Sequence, residues 1–166
     1  MKATGLVLFA AVLMLGLTGS AFAQATATQN VTLAVNAVYK IAVSGDPAPL
    51  TITTGTAGVD ALSSVSDNST NYSITQNVAN TVKITAHMDA VLAAGYKLEL
   101  GLASTKGSSA GSIDISNATA GSAVDVVTGI ARGADANQVV TYTFSADASA
   151  GVLASTTKVV TLTLTN

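Results

Sequence analysis

The chain has 166 residues, of which 49% are hydrophobic and only 10% are charged, with a formal net charge of −2 at pH 7. The hydrophobic share excludes a disordered protein, and the length favours a single domain. The sequence has no cysteine and no tryptophan, which excludes disulfides, thiol catalysis and thiolate metal sites. Seven Lys and Arg residues against nine Asp and Glu residues leave no basic patch for nucleic acid.

The first residues have the features of a secretory signal peptide. Met1 and Lys2 precede an apolar run over residues 6–17, and Ala21-Phe22-Ala23 supplies the small residues that a signal peptidase requires. The apolar run is shorter than the ~20 residues of a spanning helix. We therefore predict a signal peptide over residues 1–23, a single mature domain over residues 24–166 with no membrane span, and a secreted, extracellular or cell-surface location.

Apolar and polar residues alternate along most of the remaining chain, as they do in a half-buried strand. In the closing stretch 158–165, Val160, Leu162 and Leu164 point one way, and three threonines point the other way. Similar runs, separated by polar and glycine-containing loops, predict about nine strands and an all-β sandwich. The predicted strands are 31–43, 50–53, 71–75, 80–88, 96–102, 113–115, 124–130, 140–146 and 158–165.

Two of these predictions concern how the strands are arranged. The run 31–43 is long for one strand, so we expect a break near Asn36-Ala37 where the strand changes sheets. The runs 80–88 and 96–102 are separated by a short turn, and we predict that they are neighbouring antiparallel strands. The aromatic residues are expected inside, since they share the inward parity of their runs: Tyr72, Tyr96, Tyr142 and Phe144.

The sequence has no recognisable catalytic or ligand-binding motif. His87 is the single histidine, and its parity places it on the outer face of a strand. The acidic residues are scattered singly. Asp60 with Asp67-Asn68 offers oxygen ligands for calcium, but their spacing matches no defined calcium loop. We therefore predict a protein that is not an enzyme, with no catalytic residues, no cofactor and no metal site.

At its two ends the mature chain resembles the subunits of bacterial surface fibres and coats, of the fimbrial pilin or spore-coat-U type. The resemblance lies in the run Thr28–Val35 directly after the leader and in the closing run Val159–Thr165. It implies an Ig-like antiparallel β-sandwich of about eight to ten short strands. It also implies that the freed N-terminal segment inserts as a strand into a neighbouring subunit, with Val31, Leu33 and Val35 as the inserted side chains. The alternative is that this segment pairs within its own domain.

Three classes of function remain open at this point. The first is an exported structural or adhesive surface protein, a fibre or pilus-like subunit that assembles by strand addition with copies of itself or other surface subunits. The second is a monomeric extracellular module that binds a glycan or another ligand, which would need aromatic residues on loops. The third, less favoured, is an outer-membrane β-barrel, because the chain shows no aromatic girdles and ends in Leu164-Thr165-Asn166.

Overall fold

The computed structural model describes residues 25–166, and the predicted signal peptide lies outside this range. The chain divides into a first unit that ends at Ala34 and a body that comprises Val35–Asn166. In the first unit, the described residues 25–34 form neither helix nor strand, and all of them are exposed. The body carries all the regular structure that is described below.

Within the described residues, the body is almost entirely β-structure. Its one helical element is a three-residue 3-10 turn at Ala148–Ala150, so no described helix could cross a membrane. The strands are β1 Tyr39–Val43, β2 Val65–Gln76, β3 Val82–Met88, β4 Tyr96–Leu102, β5 Ser108–Ser109, β6 Ile113–Asp114, β7 Val124–Ile130, β8 Gly133–Ala146 and β9 Val160–Thr165.

The strands form two antiparallel sheets, which confirms the predicted all-β sandwich. The first sheet has the order β1-β2-β8-β4-β6, and the second has the order β5-β7-β3-β9. The prediction that 80–88 and 96–102 are sheet neighbours is wrong, because β3 lies in the second sheet and β4 in the first. The turn between them crosses from one sheet to the other, and alternation alone does not distinguish such a crossing from a hairpin.

The core lies between the sheets and consists mostly of aliphatic side chains. The inward row of β3 is buried as its alternation predicted, with Val82, Ile84, Ala86 and Met88 at 1% exposure or less. Tyr72 is also fully buried, and its hydroxyl donates a hydrogen bond to the carbonyl of Ala103. Burial raises the pKa of Tyr72, and Asp135 raises it further against the opposing effect of Ser104.

The other predicted inward aromatics are Tyr96, Tyr142 and Phe144. Tyr96 stacks on Phe144 with ring centroids 6.4 Å apart, and Tyr142 packs against the core. Burial raises the pKa of Tyr142, and the Asp46 charge adds to this effect. The prediction of an inward position is therefore confirmed for Tyr72 and Tyr142, whereas Tyr96 and Phe144 are half-buried and contact each other.

Several strand boundaries differ from the predictions. Residues 31–37 form no strand, so the expectation that a strand changes sheets near Asn36-Ala37 is wrong. Residues 50–53, which follow Pro47 and Pro49, form no strand either. Conversely, β2 begins at Val65 and β8 at Gly133, earlier than alternation indicated. The predicted strand 124–130 is confirmed as β7, in which Gly129 has a φ of 64°. The register with β3 shifts between Val82 and Ile84, which indicates a bulge within a continuous strand.

Candidate functional site

The predicted donor residues lie on an N-terminal segment, residues 25–37, for which the described residues 25–166 contain no strand partner. Val31 is 72% exposed, Leu33 86% and Val35 87%. They occupy alternate positions, so an extended backbone would place all three side chains on one face. A row of exposed large aliphatic side chains is typical of sites at which proteins interact.

Asn77 fixes the point at which the body begins. Its side-chain oxygen Oδ1 accepts a hydrogen bond of 2.7 Å from the amide of Val38, and its Nδ2 donates to the carbonyl of Asn36 at 2.8 Å. The Asn77 amide also donates to the carbonyl of Val38. Asn77 therefore holds residues 36–38 at the entry to β1, a role that its position just after β2 did not reveal in the sequence.

One side of the sandwich, which we call the open side, is bounded by β1 and β9. These strands are the edges of their sheets and lie next to each other. The inward residues of β9, which are Val160, Leu162 and Leu164, pack against the core but are only half-buried. Within the described residues, no backbone hydrogen bond reaches the outer edge of β9.

The two edge strands of the open side differ in charge. β9 contains valine, leucine and threonine alone, and its pairing with β3 runs without a register shift. β1 is shorter and carries Lys40, and Pro47 and Pro49 follow it. Lysine, proline, bulges and short length are the features by which proteins protect sheet edges from added strands. β9 lacks the first three.

The opposite side, which we call the closed side, is bounded by β5 and β6. Each of these strands has two residues, and three residues, Ala110, Gly111 and Ser112, separate β5 from β6. Because β5 belongs to the second sheet and β6 to the first, the chain crosses between the sheets here. The crossing covers this side and leaves no edge long enough to accept another strand.

The carboxylate of Asp135 on β8 holds the loop that leads into this crossing. Asp135 is 3% exposed, and its oxygens accept hydrogen bonds from the Ser104 hydroxyl, the Thr105 hydroxyl and amide, and the Lys106 amide, at 2.9, 2.7, 2.8 and 3.2 Å. Burial acts to raise the pKa of Asp135, but these donors outweigh burial and lower it. The hydrogen bonds of the Asp135 carboxylate all fix the loop 104–106 to β8. In the sequence, Asp135 was only one of several scattered aspartates.

The remaining residues considered for chemistry lie apart from one another. His87 is on the outer face of β3, opposite Thr161 of β9. The Asp60 carboxylate accepts hydrogen bonds from the Ser149 amide and hydroxyl, and Asp67 accepts from Ser69. In the part of the chain that is described, no three His, Cys, Asp or Glu residues are grouped to hold a metal ion.

One cleft at an end of the sandwich carries polar groups. Its volume is about 510 Å³, and Tyr96, Lys97, Asp114, Asn117 and Asp147 are among the residues that line it. The Tyr96 hydroxyl donates to the carbonyl of Ala150, and the ring stacks on Phe144.

Comparison with known proteins finds no relative of this chain. No family model, no curated protein and no solved structure matches the chain. Any proposal about function therefore depends on the geometry above: an exposed alternating segment, one open side and one closed side.

Proposed function

We propose that this chain is an exported, non-enzymatic structural or adhesive protein of the cell surface, and that it assembles by strand addition. The observation that carries the proposal is the exposure of Val31, Leu33 and Val35 on a segment with no strand partner. An extended segment of this kind binds by main-chain hydrogen bonds to a free sheet edge, and its alternate side chains fill apolar gaps. The inward row of β9 is only half-buried, so it has apolar surface that such side chains can cover.

The energetics favour an interaction that uses the backbone as well as the three side chains. Full burial of an aliphatic side chain contributes roughly 1.5–3 kcal/mol, so three of them contribute roughly 5–9 kcal/mol. Association costs roughly 4–15 kcal/mol in lost freedom. Apolar burial therefore offsets that cost only at its lower end, and stable assembly requires the hydrogen bonds of a new strand pair.

The test compares the protein from Gln24 onward with two triple variants. Val31→Ser, Leu33→Ser and Val35→Ser together remove the apolar row, whereas Asn30→Ser, Thr32→Ser and Ala34→Ser change the opposite face of the same segment. We expect negative-stain microscopy and sedimentation to show oligomers or fibres for the unchanged protein and the second variant, and monomers for the first. Uniform monomers of the unchanged protein at high concentration would contradict the proposal.

Export has its own test. The proposed signal peptide predicts that protein recovered from outside the producing cell begins at Gln24, because Ala21 and Ala23 provide the cleavage site. N-terminal sequencing of that material measures the first residue directly. If the chain were recovered inside the cell with Met1 retained, that result would contradict the proposed cell-surface location.

A second candidate function, ligand binding by a monomer, is favoured by the cleft that Tyr96, Asp114 and Asn117 line. Carboxylate and amide groups can hydrogen-bond to sugar hydroxyls. Against it, Tyr72 is buried and Tyr142 packs against the core, so neither ring can stack on a sugar. Binding to a glycan array that is lost in Asn117→Ala, together with a monomeric protein, would favour this candidate over assembly.

A further inference from the structure

We infer that the acceptor for the N-terminal segment is the free edge of β9 in a second copy of this chain. The inference rests on the proposed strand addition and adds to it the strand that receives the segment. The strands that end the two sheets of the described body are β1, β5, β6 and β9. β1 covers only Tyr72–Gln76 of β2, and the rest of that β2 edge carries Asp67 and a register shift, which disfavour an added strand. The four end strands differ in length, charge and apolar exposure.

Length removes the two edges of the closed side. β5 and β6 have two residues each, whereas the run Val31–Val35 spans five. A two-residue ladder cannot pair a five-residue segment or align its alternate side chains with a continuous row. β1 with five residues and β9 with six remain.

Charge and shape separate the two remaining edges. β1 carries Lys40, and its inward row holds only Ile41 as a half-buried residue between the more exposed Tyr39 and Val43. β9 carries no charged residue, pairs regularly with β3, and presents three half-buried aliphatic residues in one row. An added strand on β9 would extend this row with three more aliphatic residues and remove both sets from water.

The choice of a second copy follows from the exposed apolar residues of the chain. Among described residues outside strands, exposed large hydrophobic side chains alternate only at Val31, Leu33 and Val35. The others lie singly or directly adjacent, as at Val59, Val91 and Val152-Leu153, which is not the pattern of a half-buried strand. The chain thus contains one free strand-like segment and one unprotected edge that fits it.

The test uses disulfide cross-linking, which is clean because the chain has no cysteine. One protein carries Thr32→Cys on the polar face of the N-terminal segment. It is mixed, in separate samples, with a protein that carries Thr163→Cys on β9, Lys40→Cys on β1 or Ser109→Cys on β5. All four positions are exposed, and directly paired residues have Cβ atoms close enough for a disulfide after a small adjustment.

We expect the mixed disulfide with Thr163→Cys to exceed that with Ser109→Cys by about tenfold, because strand pairing raises the effective concentration of the two thiols. A stronger cross-link to Lys40→Cys, or equal cross-links to all three, would overturn the assignment of β9. So would an intramolecular disulfide in a dilute chain that carries both Thr32→Cys and Thr163→Cys. The serine variants of the apolar row test strand addition itself, so failure of the acceptor and failure of the proposed function give different results.

Discussion

The two sides of the sandwich finish their sheets in opposite ways. On the closed side, two-residue strands and a crossing chain segment end both sheets, and the Asp135 carboxylate holds the loop that leads into the crossing. On the open side, β1 and β9 are longer, and the inward row of β9 is only half-buried. On the closed side, segments of the same chain cover the ends of both sheets, whereas on the open side part of the apolar surface of β9 stays exposed to solvent.

This difference indicates where stability and where interaction reside in the molecule. Side chains near the closed side are buried by the fold itself, so changes there should lower the free energy of unfolding of the monomer. Side chains of the open side contribute less to the monomer, and their remaining exposed surface is available to a partner. The predictions below test this division from the largest expected effect to the smallest.

The largest effect is expected from truncating matched leucines on the two sides. Leu100 on β4, which pairs with β6, is completely buried, whereas Leu162 on β9 is half-buried. Leu100→Ala should lower the free energy of unfolding by about 2–5 kcal/mol. Leu162→Ala should cost about 1–2 kcal/mol in the monomer, in proportion to the area that it buries. Urea denaturation of dilute protein measures both.

The same pair sharpens the comparison when the protein is concentrated. If β9 accepts a strand, the cost of Leu162→Ala should grow with protein concentration, because assembly stabilises the folded state. The cost of Leu100→Ala should stay constant. Equal costs for the two leucines in dilute protein would show that the open side is packed as fully as the closed side.

The next effect concerns the Asp135 carboxylate. Asp135→Asn keeps the shape but replaces an acceptor oxygen by an amide that faces backbone and hydroxyl donors, and we expect a loss of about 2–4 kcal/mol in the free energy of unfolding. The control is Asp125→Asn, which removes a partly exposed ion pair with Lys83 at 2.9 Å. That change should cost less than about 1 kcal/mol.

Asp135 also predicts a dependence on pH. Its pKa is lowered in the folded protein, while an unfolded aspartate has a pKa of about 3.9. The stabilisation is therefore fully present above about pH 4 to 5, and it is lost as the pH falls through the lower pKa of the folded state. Acid denaturation should be less steep in Asp135→Asn than in the unchanged protein, and identical acid profiles would contradict this role.

The sequence predicted strands better than it predicted their partners. The alternation of β3 and β4 was sufficient to place both strands and their inward faces, because each has one buried and one wetter face. It could not show that the two strands lie in different sheets. The first half of β8, which begins Gly133-Ala134-Asp135, has no apolar alternation, and its pairing with β2 comes from tertiary contacts.

Only part of the candidate site has a local signal in the sequence. The resemblance to surface-fibre subunits named Val31, Leu33 and Val35, and their alternation next to the predicted leader is visible without a structure; their role as donor residues stays a prediction. The open side depends on which strands end each sheet, a long-range property that no local pattern contains. The role of Asp135 depends on a loop about 30 residues away in sequence, so it too was hidden.

A smaller effect is expected at Gly107, where the chain enters the closed side. A Cβ atom there would lie 2.7 Å from the Thr128 carbonyl oxygen and 2.7 Å from Cγ1 of Ile130. The carbonyl belongs to the backbone of β7 and cannot rotate away, so Gly107→Ala should cost about 1–3 kcal/mol in the free energy of unfolding. Gly121→Ala is the control, because a Cβ there would meet nothing within 4 Å. An unchanged free energy of unfolding in Gly107→Ala would show that the backbone of the closed side can shift to accommodate the added methyl group.

The smallest effect on stability, and the most direct test of the open side, comes from a lysine placed on β9. Thr163 is exposed, and Thr163→Lys should change the free energy of unfolding by no more than about 0.5 kcal/mol. It should nevertheless reduce assembly in sedimentation velocity, because lysine on an edge strand opposes the addition of another strand. Thr85→Lys is the matched control. Thr85 lies on β3 directly opposite Thr163 of β9, so this substitution adds the same charge away from the sheet edge. If both lysines reduced assembly equally, the effect would come from net charge, and the β9 edge would have no special part in it.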